Sequence, residues 1–208
     1  MELLIIGATG TTGREVVKQA LSLGHRVTAF SRNPEPLRQI RHHNLQLMSG
    51  DVMDAISVEK AVRGKDAVLS TLGAGRKGTI RSEGTRHVIE AMQKNKVRRF
   101  ICQTTLGAGD SRVHLNFFWK HIMFGLMLRE AYRDHEVQER YIMNSNLDWT
   151  IVRPAALTDG PATGQYRHGF GEEERGLKLK VSRQDVALFM LMQLSSEQYV
   201  HQAPGLSY

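Results

Sequence analysis

Apolar runs that alternate with helically periodic stretches predict an α/β fold, a doubly wound parallel sheet with helices over both faces. Three observations carry this. The chain opens on Leu3-Leu4-Ile5-Ile6, breaks into Gly7, Gly10 and Gly13, and enters a helical pattern at Arg14-Glu15-Val16-Val17. Apolar runs then recur, separated by stretches long enough for helical crossovers. Composition is ordinary for a globular chain, with 41% hydrophobic and 24% charged residues in 208, so a single domain over residues 1–208 is expected.

In chain order, strands are expected at 3–6, 26–30, 45–48, 67–70, 99–103 and 149–152. Helices are expected at 13–23, 56–62, 83–95 and, in one long segment, 116–144. Leu21-Ser22-Leu23-Gly24-His25 reads as a helix stopped at glycine, and Arg32-Asn33-Pro34-Glu35-Pro36 as a loop and helix start. After Pro154 the rhythm changes. Residues 158–164 are loop, 165–168 a short strand and 169–176 loop again. A last amphipathic helix over 182–194 starts at Ser182 or Arg183 and turns Val186, Phe189, Met190 and Leu194 inward. This C-terminal third reads as a small substrate-side elaboration on the same sheet.

The opening strand, glycine turn and helix form the arrangement by which doubly wound folds grip a dinucleotide. The spacing is GxxGxxG: Gly7 supplies the turn, Gly10 lets backbone approach a pyrophosphate, and Gly13 brings the helix close to the sheet. With Thr9, Thr11 and Thr12 they form a loop whose helix-start amides face phosphate. The bland alternative is a plain glycine turn. The end of the second strand selects the nucleotide. NAD sites carry an acid there for the ribose hydroxyls. Here the chain reads Ala29-Phe30-Ser31-Arg32-Asn33, and a guanidinium suits the 2′-phosphate of NADP. Arg32 is otherwise a solvated arginine. NADP is the expected cofactor.

Charge and cysteine content narrow the remaining classes. The net charge of +7 is spread along the chain, and its one basic cluster, residues 94–99, falls at a helix end, where cations suit the dipole. No nucleic-acid motif accompanies it, so a solvated basic surface suited to anionic ligands is preferred. The single Cys102 excludes an internal disulfide framework and a CxxC metal site, and fits a reducing cytoplasm. No apolar run approaches the ~20 residues of a membrane span, and no charged leader precedes the first one. His114, His121 and His168 lack metal-ligand spacing, so no metal is expected.

With these residues read, the chain resembles the atypical short-chain dehydrogenase/reductases of the NAD(P)-binding, NmrA-like class. Within it, the chain is similar to the flavin reductase/biliverdin-IXβ reductase group. The resemblance runs nearly end to end, through GATGTTG, Gly50-Asp51-Val52, residues 66–73, Ser82-Glu83-Gly84-Thr85, residues 147–154, residues 159–166 and the closing Ser207-Tyr208. It implies a Rossmann fold, with Asp51 and Val52 at the adenine and Leu72, Gly73 and Ala74 beside the central ribose. It also implies Thr104 and Thr105 over the nicotinamide, and Pro154, Ala155, Ala156 and Leu157 along the carboxamide. Locally, Asp51 could instead cap the helix before Ile56, and the threonines could be ordinary strand-end residues.

The family's usual Tyr-x-x-x-Lys acid/base pair is missing: Tyr132 is followed four residues on by Glu136, Tyr141 by Ser145 and Tyr166 by Phe170. The 116–144 helix offers Asp134-His135-Glu136 and Glu139 instead. His135 stands where relatives carry a lysine or histidine facing the active site. It could donate a proton, contact ribose hydroxyls, or be a solvated helix histidine. Biliverdin-reducing relatives hold a histidine after the sixth strand, where this chain reads Ala155-Ala156. Reduction of a flavin or quinone tolerates that loss, since hydride passes to an electron-poor ring and water can supply the proton. Phe117, Phe118, Trp119, Met123 and Phe124 form either an apolar wall for a flat acceptor, or core, or a dimer surface. The sequence therefore predicts an NADPH-dependent reductase of a flat aromatic acceptor, monomeric or homodimeric, with no nucleic-acid or membrane partner. Thr105 and His135 are its candidate catalytic residues. The alternative is a non-catalytic NADP(H)-sensing or scaffold protein.

Overall fold

The computed structural model describes residues 1–73 and 78–208. In chain order the elements are β1 (Glu2–Ile6), α1 (Thr11–Ser22), β2 (Arg26–Ser31), β3 (Leu45–Ser49), α2 (Ala55–Val62), β4 (Ala67–Ser70), α3 (Ile80–Lys94) and β5 (Arg99–Gln103). After a π-helical segment, Phe118–Met127, follow α4 (Arg129–Met143), β6 (Asp148–Pro154), β7 (Ala156–Thr158), β8 (Arg167–His168), β9 (Lys180–Ser182), α5 (Arg183–Met192) and β10 (Gly205–Ser207).

Eight strands form one sheet in the order β3-β2-β1-β4-β5-β6-β10-β8, parallel except for β8, which runs antiparallel to β10. Strand order reverses direction between β1 and β4, and there the C-terminal ends of the strands leave a crevice. β1 sits at the centre, with Ile5 level with Ala29 on one side and Leu69 on the other. Its apolar residues are buried on both faces, as a central parallel strand requires. Leu3 and Ile5 pack under α1 and α5 with Val16, Val17, Val186 and Met190. Leu4 and Ile6 pack on the other face with Val58, Val88, Met92 and Ile142. Truncating Leu4 to alanine would remove about 2–5 kcal/mol by the usual cavity cost.

The six main strands lie where the apolar runs placed them, each within a residue or two of its expected ends. Three features differ. The expected helix 116–144 is broken: Leu128 N–H donates to Met123 carbonyl five residues back, closing a π turn before α4 begins. Nearly every residue of Phe117-Phe118-Trp119-Lys120-His121-Ile122-Met123-Phe124 is apolar or aromatic, so no 3.6-residue stripe marks the phase. Asp51 is not the cap of α2; Asp54 is, accepting from Ile56 N–H at 3.1 Å, while Asp51 accepts from Met53 N–H at 3.0 Å. β10 carries no sequence signal at three residues, yet Leu206 pairs with Pro154 and is fully buried.

The last helix does start at Ser182, whose hydroxyl caps Asp185 N–H, but it ends at Met192. Asp185 is a hub for the C-terminal third. It accepts from Thr163 and Gly164 N–H and, at 2.6 Å, from the Tyr208 hydroxyl. Although buried, its carboxyl is held below the usual range by these donors. The segment after β6 is thereby pinned beside the crevice.

Candidate active site

The crevice is a two-lobed groove, and Gly10, Leu72 and Gly73 line both lobes. The first lobe, about 580 Å³, runs over the glycine loop to the ends of β2 and β3, where Gly7, Thr9, Arg32, Asp51 and Val52 meet. The second, about 390 Å³, runs from Thr11 and Thr12 past Thr104, Thr105 and Pro154–Leu157 to His135 and the aromatic wall of Trp119 and Phe124. Every candidate site residue described lies on this groove except Gly13, which packs behind it; Ala74 lies outside the described residues.

Local geometry explains the glycines. Gly7 has φ +77°, and a Cβ there would meet the Thr71 carbonyl oxygen at 2.7 Å. A Cβ on Gly13 would collide with the Gly7 carbonyl, so the helix lies against the turn. A Cβ on Gly10 would touch only that same carbonyl, at 3.1 Å, and otherwise project into open space. α1 has no side-chain cap. Among the described residues the amides of Thr11, Thr12 and Gly13 have no acceptor, which leaves the positive end of the helix open to an anion.

At the far end of the first lobe, Arg32 is exposed and forms no ion pair among the described residues. Beside it the buried Ser31 Oγ has no hydrogen-bond partner. In the second lobe Gln103 Oε1 is likewise buried and unpartnered. An extended groove, free helix-start amides, an open face at Gly10 and two orphaned polar atoms fit a dinucleotide.

The catalytic candidates divide. Thr104 Oγ1 donates to Glu139 Oε1 at 2.6 Å, and Glu139 is held by two bonds from the buried Arg153, Nε to Oε1 at 3.0 Å and Nη2 to Oε2 at 2.6 Å. That hydroxyl is committed to the network behind the wall. Thr105 Oγ1 makes only a long 3.3 Å bond to Leu106 carbonyl and remains exchangeable. His135 is half-buried on the cavity lining, not a solvated helix residue. Burial first, then the Arg81 guanidinium, hold its imidazole down at about 4, against the opposing pull of Gln138 and Asp134. At neutral pH it is uncharged.

Asp134, beside it in sequence, accepts from the Arg81 and Ser82 amides at the start of α3 and pairs with the Arg81 guanidinium at 3.4 Å. Tyr132 donates to Gly107 carbonyl at 2.9 Å, and Tyr132, Tyr141 and Tyr166 are all absent from the cavity lining. Burial pushes the Cys102 thiol up to about 12, so it is not a nucleophile.

Sequence reasoning missed several polar residues in or beside the groove. Arg81 and Gln103 line the second lobe, and Gln138 stands behind His135. Arg183 donates to Thr11 Oγ1 at 3.1 Å and to Asp159 at 2.7 Å, tying α5 to the glycine loop. Only Gln138 left a legible signal, three residues after His135 on the same helix face.

A family model described as NAD(P)H-binding matches residues 7–197. The chain belongs to the NAD(P)H-binding family. The match begins at Gly7 and spans every candidate site residue. Among known relatives, the UPF0659 protein YMR090W of Saccharomyces cerevisiae is 28% identical over 205 residues, covering 93% of this chain and 87% of that protein. The solved structure of ChuY, an anaerobillin reductase from Escherichia coli O157:H7, is 28% identical with a TM-score of 0.83, covering 99% of this chain and 96% of that one. A Veillonella parvula short-chain dehydrogenase/reductase solved with NADP is 18% identical and shares the fold, with a TM-score of 0.81 over 100% of this chain and 94% of its own. The chain thus has a Rossmann-like α/β fold and belongs to an NAD(P)H-binding, oxidoreductase-like family with a reductase among its structural neighbours. No helix among the described residues is long and apolar enough to cross a membrane.

Proposed function

We propose that this member of the NAD(P)H-binding family is an NADPH-dependent reductase of a flat aromatic acceptor, a flavin or quinone, in the NmrA-like, flavin reductase-like branch. The observation that carries this reading is the second lobe. It continues the dinucleotide groove into a cavity of about 390 Å³ walled by Trp119, Phe124 and Leu115, with no tyrosine in its lining. Such a cavity holds a conjugated ring face-on and lacks the phenol that alcohol and ketone chemistry uses in short-chain dehydrogenases. ChuY, a reductase by its own description, supports a reductive role.

Preference for NADP rests on Arg32, with Ser31 Oγ as a second donor at the 2′-phosphate. Gly7, Thr9, Gly10, Thr11 and Thr12 carry the pyrophosphate, helped by Gly13 behind them. Asp51 and Val52 take the adenine. Leu72 and Gly73 flank the ribose, with Ala74 following them in sequence, and Pro154 to Leu157 and Thr104 border the nicotinamide. When bound, the nicotinamide supplies a hydride. This chain's residues orient two rings and exclude water, which is where the rate comes from. Thr105 offers a hydroxyl beside the transfer and His135 a neutral imidazole. The buried free thiol of Cys102 fits a reducing cytoplasm.

NADPH consumption with FMN, FAD, riboflavin and soluble quinones tests the reading. Turnover with at least one acceptor, and a lower KM for NADPH than for NADH, are expected. Tight NADPH binding with none of these acceptors reduced would overturn it in favour of an NADP(H)-sensing or scaffold role.

A further inference from the structure

His135 lines the second lobe of the groove. Its Nδ1 lies 3.0 Å from Gln138 Oε1, one turn along α4. Its Nε2 has no partner among the described residues and is not among the buried unpartnered atoms, and the residue lines the second lobe. Gln138 itself is fully buried and cannot rotate freely. Its Nε2 donates to Thr85 Oγ1 on α3 at 3.0 Å and to Cys102 Sγ on β5 at 3.3 Å. The Cys102 thiol donates its own hydrogen to the Gln103 carbonyl at 3.7 Å, which leaves the sulfur free to accept. The amide nitrogen therefore faces Thr85 and Cys102, and the amide oxygen faces the imidazole. An oxygen can only accept, so the hydrogen between the two rests on Nδ1.

We propose that Gln138 is a positioning residue: through Thr85 and Cys102 it holds His135 with its proton on Nδ1, so that Nε2 enters the cavity as a hydrogen-bond acceptor. The ring then receives a hydroxyl or N–H of whatever fills the lobe and is not the proton source for reduction. Arg81 from α3 reinforces this: its guanidinium pairs with Asp134 Oδ2 on α4 at 3.4 Å, yet of the two charges the guanidinium acts more strongly on the ring and opposes a second proton. A carboxylate in place of the amide would reverse the arrangement by stabilising the imidazolium. The inference rests on His135 belonging to the site but not on any acceptor being reduced.

The test is the ¹⁵N spectrum of the full-length protein labelled at histidine, with His135 assigned by its loss in His135→Gln. A protonated Nδ1 and a bare Nε2 from pH 5.5 to 8 are expected. Gln138→Glu is expected to bring the His135 titration into that range, a rise of at least about 1.5 pH units. A bare Nδ1, or an imidazolium at pH 7 in the unmodified protein, would overturn the proposal. So would a Gln138→Glu titration identical to the original. Where Gln138→Glu does not fold, the spectrum of the unmodified protein decides alone. These spectra need no turnover, so they separate from failure of the reductase reading, which is seen in NADPH consumption.

Discussion

The two lobes of the groove are built by different means. The first is assembled mainly from short contiguous stretches, Gly7 to Gly10, Ser31 to Asn33 and Gly50 to Met53, each sitting at the end of a parallel strand. It presents backbone, an exposed guanidinium, the Ser31 hydroxyl and the Asp51 carboxylate. The second draws on β5, β6, α3, α4 and the π-helical segment at once, and is furnished by side chains that buried networks hold in place. Backbone at strand ends suits a ligand half common to a whole family. Side chains on several elements suit the half where members differ. One lobe should therefore be breakable without the other.

The largest effect is expected at the hinge between them. Gly10→Val fills the open face over the glycine loop, and isothermal titration should detect no NADPH binding while the unfolding midpoint stays close to the original. Normal binding by that variant would remove the glycine loop from the site.

A second difference is sensitivity to acid. The folded protein keeps His135 neutral down to about 4, whereas a free imidazole takes its proton near 6.5, so below 6.5 the unfolded chain binds more protons. This contribution is complete above pH 6.5 and drains away as pH falls towards 4, by about 3 kcal/mol. Urea unfolding at pH 7 and 4.5 should show that excess loss in the unmodified protein and not in His135→Gln. Equal losses in both would place His135 in solvent.

Arg32→Ala should act on the first lobe alone, eroding the preference for NADP over NAD by about 1.5–3 kcal/mol, the worth of a charge-assisted bond. Competition binding with the two nucleotides measures it, and an unchanged ratio would sink the assignment. Trp119→Ala should act on the second lobe alone, raising the KM for acceptor about tenfold, roughly 1.4 kcal/mol, with NADPH affinity constant. The smallest effect belongs to Thr105→Val, a few-fold fall in turnover, well short of the roughly 10²–10⁴-fold loss that follows removal of a general acid. A loss of that size in steady-state assays would mean that the threonine hydroxyl carries a proton.

Legibility follows the same division. Leu3 to Ile6 read as a buried parallel strand because four consecutive apolar residues put an apolar side chain on both faces of the sheet. Gly7, Gly10 and Gly13 read as a phosphate loop because turn, approach and packing each demand a missing Cβ at a fixed spacing. Arg32 reads as the NADP-selecting residue through the absence of an acid at the end of the second strand. For Asp51 the sequence leaves the adenine site and the α2 cap both open, since Asp51 and Asp54 both precede the helix, and the folded backbone gives the cap to Asp54.

What the sequence by itself determined is whatever depends on neighbours along the chain: the strand–helix alternation, the glycine loop and the missing tyrosine–lysine pair. Tertiary structure alone decided the rest. Whether His135 met water or the cavity depended on where the π turn at Leu128 set the phase of α4 and on Gln138 finding Thr85 and Cys102, residues 53 and 36 positions away. β10, Arg81 and the Arg153–Glu139–Thr104 network likewise gain meaning only when segments distant in sequence meet. The physical reason is range. Backbone propensity and hydrophobic periodicity act over a few residues, whereas burial, desolvation and hydrogen-bond completion act on whatever the folded chain brings within a few ångströms.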